Sequence, residues 1–230
     1  MSVPVHSILR HSPSPDASAC QESHRAGFTL VELLTVIIII GILATIVIAS
    51  ISPVRSTARR TRCVANLRQF GAAAALYSQD NKFRTVPPHF YWALTENGYL
   101  PVLTLGDMHA KAGVWMCPGD PADRTAVTTE PSNADYVSYG INTQNTGLPP
   151  DYWKTSKSML GDINRPSRTL HFADAKVGPD GMTKWWIEKP AANRNASFHH
   201  QGKVNVVFFD GHAATLEKPS SLDDFYNDYF

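Results

Sequence analysis

Residues 25–53 read RAGFTLVELLTVIIIIGILATIVIASISP, and between Phe28 and Ile51 the only charged residue is Glu32. At 1.5 Å per residue such a stretch spans about 36 Å as a helix, enough for a hydrocarbon core of about 30 Å. The run therefore predicts a membrane-spanning helix over residues 28–52. A secretory signal peptide fits poorly, because its apolar core is typically about 7 to 15 residues long and closes on an A-x-A-like site. This core is longer, contains an acid and ends at Ser52-Pro53. A plain anchor fits the length and leaves Glu32 unexplained. A carboxylate at membrane depth is costly, and one that persists there is a functional residue in want of a partner.

Working outward, residues 1–24 are rich in Ser, Pro and His without apolar periodicity and read as a disordered leader. The whole chain of 230 residues has room for one medium-sized domain plus appendages. Its formal net charge of +1 excludes a broad polyanion surface, so no nucleic-acid partner is expected. Three cysteines, Cys20, Cys63 and Cys117, show no C-x-x-C and no metal-ligand spacing. Cys20 lies in the leader. Cys63 and Cys117 are then compatible with one disulfide in an exported domain or with two buried thiols.

Gly27-Phe28-Thr29-Leu30-Val31-Glu32-Leu33-Leu34 resembles the class III signal of type IV pilins and of the pseudopilins of type II secretion. The shared pattern is a small residue before the cut, an aromatic after it, a glutamate fifth in the mature chain and a long apolar helix. The resemblance implies cleavage between Gly27 and Phe28 by a prepilin peptidase, which removes residues 1–27 and methylates the Phe28 amine. It also supplies a partner for Glu32: in a filament the carboxylate of one subunit meets the Phe28 amine of its neighbour. The implied partners are that peptidase and N-methyltransferase, other pilin-like subunits and an inner-membrane assembly machinery. The implied location is a single pass through the inner membrane with an exported C-terminal head, which joins a periplasmic or surface filament. Arginine placement runs the other way: Arg10 and Arg25 precede the segment, whereas Arg55, Arg59, Arg60 and Arg62 follow it, and basic residues ordinarily stay cytoplasmic.

After Pro53, the residues Ala58, Val64, Leu67, Gly71, Ala74 and Tyr77 recur near the i, i+3, i+4 spacing of an amphipathic helix, here over about 54–78 within a segment 53–80. Arg55, Arg59 and Arg62 share another stripe, read as a solvated face. Residues 81–230 form the head. Between Asn81 and Arg165 the pieces are short and punctuated by turn residues; FYWALTENGYL predicts one short helix ending near Gly98. RTLHFADAKV and TKWWIEKP flank the turn cluster GPDGM and predict a hairpin. KVNVVFFDGHAATLE predicts a second, turning at Asp210-Gly211. The expected fold is α+β: a long N-terminal helix packed on the one apolar face of a four-stranded antiparallel sheet.

A second resemblance lies near the C-terminus. His200, nine residues and Asp210-Gly211 match the H-x9-D-G pattern of a large pilin-like group, to whose segments CPGD (117–120) and SYGIN (138–142) are also similar. Fold and function implied are those of a structural filament subunit, itself no enzyme. Two rivals are a surface-binding protein that uses the helix as an anchor, and an exported metal enzyme built on His199, His200, Asp210 and His212. A strand over 203–209 would hold His200 and Asp210 about 30 Å apart, beyond the reach of a shared ion. Asp210-Gly211 then reads as a hairpin turn and His200 as a strand-end hydrogen-bonding residue. No cofactor and no metal site is expected. Trp185 and Trp186, adjacent on a strand, point to opposite faces, one into the core.

Overall fold

The computed structural model describes residues 28–125, 127–128, 131, 134–144, 158–178, 182–189 and 194–230. The leader, Gly27 and most of the GPDGM cluster lie outside the described residues. The chain divides into two compact units, residues 1–48 and 49–230.

In the first unit the described residues belong to the start of α1, Leu30–Asp80. Its apolar window is long enough to cross a membrane, and none of that window is buried within the chain. Side chains on every side of the helix are exposed, from Leu30 and Leu33 through Ile37–Ile40 to Ile46 and Ile48. A helix that is apolar all round seeks lipid or other helices rather than one face of its own domain.

In the second unit α1 continues through Pro53 and turns amphipathic. Its buried stripe is Cys63, Asn66, Leu67, Phe70, Gly71, Ala74 and Tyr77. Ala58 is exposed and Val64 only half-buried, so the stripe begins about one turn later than the sequence pattern places it. Phe70 is its hub, with ring centroids 4.9 Å from Trp115, 5.2 Å from Tyr139 and 5.3 Å from Phe172. Two short helices follow, α2 (Phe90–Thr95) and α3 (Leu105–Ala110), the first in the predicted FYWALTENGYL stretch. Gly98 adopts φ +72° just beyond α2.

Five strands form one sheet: β1 (Tyr139–Asn142), β2 (Leu170–Asp174), β3 (Trp186–Ile187), β4 (Lys203–Phe208) and β5 (Ala213–Glu217), in the order β3-β1-β2-β4-β5. Three findings depart from expectation. The sheet is mixed, because β3 pairs with β1 in parallel while the other ladders are antiparallel. The predicted hairpin of RTLHFADAKV with TKWWIEKP is reduced to the single bridge Val177↔Thr183. SYGIN becomes β1 and takes the place beside β2, hydrogen-bonding Tyr139 to Ile141 against Asp174 to Phe172.

The second predicted hairpin is present: β4 and β5 pair from Lys203↔Glu217 to Val207↔Ala213. Its turn is closed by the Gly211 N–H donating to the Phe208 carbonyl (2.9 Å), with Gly211 at φ +88°. That left-handed residue makes a three-residue loop, and glycine adopts it without strain.

Both faces of the sheet are covered, not one. Val207, Phe172, Ile141 and Tyr139 join the α1 side of the core, whereas Val204, Val206, Phe208 and Leu170 pack with Phe225 and Tyr226 of a C-terminal helix, α4 (Leu222–Tyr229). Its sequence signals are the Ser221 cap, whose hydroxyl accepts from the Asp223 N–H at 3.1 Å, and Leu222, Phe225, Tyr226 and Tyr229 at helical spacing.

Gly71 lets α1 approach the β4–β5 hairpin. A Cβ there would lie 2.9 Å from Val207 Cγ2 and 3.2 Å from the Gly211 carbonyl oxygen. Gly71→Ala is expected to lower stability by about 1–3 kcal/mol through overpacking, despite alanine's better helix propensity. Urea unfolding of the purified protein checks this; an unchanged or raised midpoint would show that the turn yields freely.

Candidate functional site

Two places carry the chemistry legible in the sequence: the N-terminal turn of α1, and a buried polar cluster where α1, the CPGD loop, β2 and the turn before β4 meet.

At the first, Thr29 and Glu32 form a reciprocal capping box. The Thr29 N–H and hydroxyl both donate to Glu32 Oε2, at 2.9 and 2.8 Å, and the Glu32 N–H donates to Thr29 Oγ1 at 3.2 Å. The carboxylate is therefore not unmet in the isolated chain, as the sequence reading had it. One oxygen caps its own helix, and the side chain as a whole is exposed. The signal was in the sequence as T-x-x-E. Phe28 is exposed just before it.

At the second, Cys63 of α1 and Cys117 of the CPGD loop are joined, with Sγ–Sγ 2.01 Å, 54 positions apart in the chain. His200 Nε2 lies 3.2 Å from Cys117 Sγ and 3.5 Å from Asp174 Oδ2, and His199 Nε2 lies 3.4 Å from the same sulfur. Gly119 makes room for the imidazole, since a Cβ there would sit 2.5 Å from His200 Cε1. Asp174, at the end of β2, is fully buried; Oδ2 accepts the Asn205 N–H at 2.7 Å, and Oδ1 has no hydrogen-bond partner among the described residues. Burial holds this carboxyl well above the usual range, against the pull of the Asn205 N–H. Burial, with the charges of His199 and Arg60 adding to it, lowers His200 to about 4.

Beside them Asp120 and Arg124 form a buried ion pair at 2.9 Å. Asp120 also accepts from Ser138 Oγ (2.6 Å) and the Ala122 N–H (2.9 Å), and Arg124 donates to Thr183 Oγ1 (3.1 Å). CPGD and SYGIN thus converge with His200 on one network. Asp210 and Gly211 do not join it. They sit at the opposite end of β4, where Asp210 Oδ1 accepts from the His212 N–H and lies 2.6 Å from His212 Nδ1. His200 forms a strand-end turn, exchanging backbone hydrogen bonds with Lys203, the first residue of β4. Trp185 is buried in the core and Trp186 half-buried. Sequence reasoning missed Asp174, Arg124 and His171, because polar residues inside apolar or turn-rich runs have no periodic signature.

His171 is buried against Phe209, stacked at 4.0 Å between centroids, with no hydrogen-bond partner for Nε2 among the described residues, and burial lowers its pKa from 6.5 to about 3. A neutral buried histidine favours the fold fully above the unfolded-state value; the unfolded chain takes up the proton as pH falls from about 6.5 toward 3, and stability is lost over that window. Asp174, whose carboxyl burial pushes well above the usual range, acts in the opposite sense. The His171 contribution is therefore isolated by comparison: between pH 7 and pH 5, His171→Phe is expected to lose about 2 kcal/mol less than wild type. Denaturant titrations at the two pH values decide it, and parallel losses would contradict the assignment.

The prokaryotic N-terminal methylation motif matches residues 23–48, which include Gly27, Phe28 and Glu32. With a long N-terminal helix and an α+β head, the chain is pilin-like. It is similar to the type II secretion system core protein G of Pectobacterium carotovorum subsp. carotovorum, 26% identical over 156 residues, which cover 68% of this chain and 77% of that protein. No solved structure matches.

Proposed function

We propose that the chain is a structural subunit of a type IV pilus or type II secretion filament, made as a precursor, cut between Gly27 and Phe28 by a prepilin peptidase, methylated at Phe28 and polymerised through α1. The observation that carries this reading is the methylation motif at residues 23–48, set on a helix whose apolar side chains are exposed all round. Such a surface needs lipid before assembly and neighbouring helices after it. Glu32 caps its own helix through Oε2 in the single chain. In a polymer its charge pairs with the Phe28 amine of the next subunit, an attraction strengthened by the low dielectric between packed helices.

The head is exported and the leader stays cytoplasmic. The Cys63–Cys117 bond supports this, since disulfides persist in oxidising compartments. The partners are the peptidase and N-methyltransferase, further pilin-like subunits and the inner-membrane assembly machinery. The chain is a substrate of processing, not a catalyst, and its likeness to a secretion-system core protein supports that. The test is to produce the precursor with a prepilin peptidase and its assembly machinery and to image sheared fibres: filaments labelled along their length by an antibody to the head are expected, and a processed protein found only in membranes would overturn the polymer reading.

A further inference from the structure

Four donors from separate parts of the head, Cys63 Sγ on α1, Cys117 Sγ in the CPGD loop, Asp174 on β2 and His200 before β4, lie within 4.8 Å of one another, and all four residues are buried. We infer that this cluster is a redox-gated site for a tetrahedral divalent cation of the zinc type: the oxidised head holds the Cys63–Cys117 disulfide, and the reduced head holds the ion instead.

Two thiolates, one imidazole and one carboxylate are a donor set suited to such ions, and their number closes a four-coordinate site. Independent support comes from Asp174, which is fully buried and whose Oδ1 has no hydrogen-bond partner among the described residues. Two thiolates and a carboxylate around a dication leave one net negative charge, which Arg60, whose charge already acts on His200, offsets. His200 also lines a cavity of about 100 Å³ bounded by Gly119, Gln201 and Ser56, which places open space beside one of the four donors. The spacing of the four residues in the chain gave no hint of this, because each ligand belongs to a different element.

The chemistry balances with an external dithiol as reductant. Its two thiols give two electrons and two protons to the Cys63–Cys117 bond and become their own disulfide, leaving two cysteine thiols. The entering cation displaces the thiol protons to solvent. This inference does not depend on the filament reading.

The test uses the untagged full chain in detergent, reduced with a dithiol, freed of reductant without air and titrated with Co²⁺. Expected are thiolate-to-cobalt charge-transfer and tetrahedral d–d bands that saturate at one ion per chain, are bleached by Zn²⁺ and are absent from the oxidised protein. His200→Ala and Asp174→Asn should each weaken binding roughly tenfold or more, as losing a ligand must exceed the loss of a supporting contact. If the reduced chain loses its near-ultraviolet circular dichroism, the same ion should restore it together with the bands. A reduced chain that gains no bands, whether folded or not, overturns the proposal, as do bands that both variants leave unchanged.

Discussion

Replacing Cys63 and Cys117 together by alanine is expected to lower the unfolding free energy of the head by about 4 kcal/mol, the chain-entropy value for a loop closed by residues 54 apart, within a usual range of about 2–5 kcal/mol. The loop it closes runs from Cys63, the first residue of the α1 stripe, along the rest of α1 and past α2 and α3 to the CPGD segment; beyond Asp80 it consists of two six-residue helices and irregular chain. Such chain has little regular structure of its own to limit its freedom once unfolded, so the cross-link removes much entropy from the unfolded state. Both cysteines are buried in the same core as Leu67, Phe70 and Trp115, so the alanines also leave a small void. Chemical denaturation of the double variant, with a chelator present, measures the loss. A change below about 1 kcal/mol would mean that the bond constrains nothing the core does not already fix.

The largest effect on assembly is expected at Glu32. Glu32→Leu and Glu32→Gln separate the helix cap that the structure shows from the charge pairing proposed for the filament. Leucine removes both the capping acceptor and the charge. Glutamine keeps an oxygen that can accept from the Thr29 N–H and hydroxyl, as Oε2 does, but carries no charge to meet an amine. Both variants are expected to insert and to be cut after Gly27, and both are expected to yield few or no filaments. The yield of sheared fibre per processed subunit is the measurement. Fibre from the glutamine variant at wild-type yield would reduce Glu32 to a helix cap.

The sequence was most readable where one physical demand acts alone. Residues 28–52 form one apolar run, whose length and single acid are local features, and the structure makes it part of one continuous helix from Leu30. The β4–β5 hairpin was equally legible, since alternation and Asp210-Gly211 are local signals. Failures came where tertiary contacts decide. Whether TKWWIEKP pairs with β2 or with β1 is settled by SYGIN occupying the place beside β2, and no local pattern encodes that competition. Tail residues 221–229 carried cap and period, yet the need for α4 follows only once the sheet is seen to have two apolar faces. The cluster around His200 was half legible. CPGD, SYGIN and His200 were marked by resemblance, but that they meet, and that Asp174 and Cys63 stand among them, depends on the fold. Asp210-Gly211, joined to His200 in one motif, is a separate structural device that seats the hairpin on Gly71 of α1.

The central claim is that this chain enters a filament by way of a freed, modified phenylalanine. Intact-mass and N-terminal peptide mass spectrometry of the native protein tests it most directly. A mature chain that begins at Phe28 and carries one methyl group on its amine is the predicted result; a chain that keeps its leader, or one cut near Ser50, would contradict it.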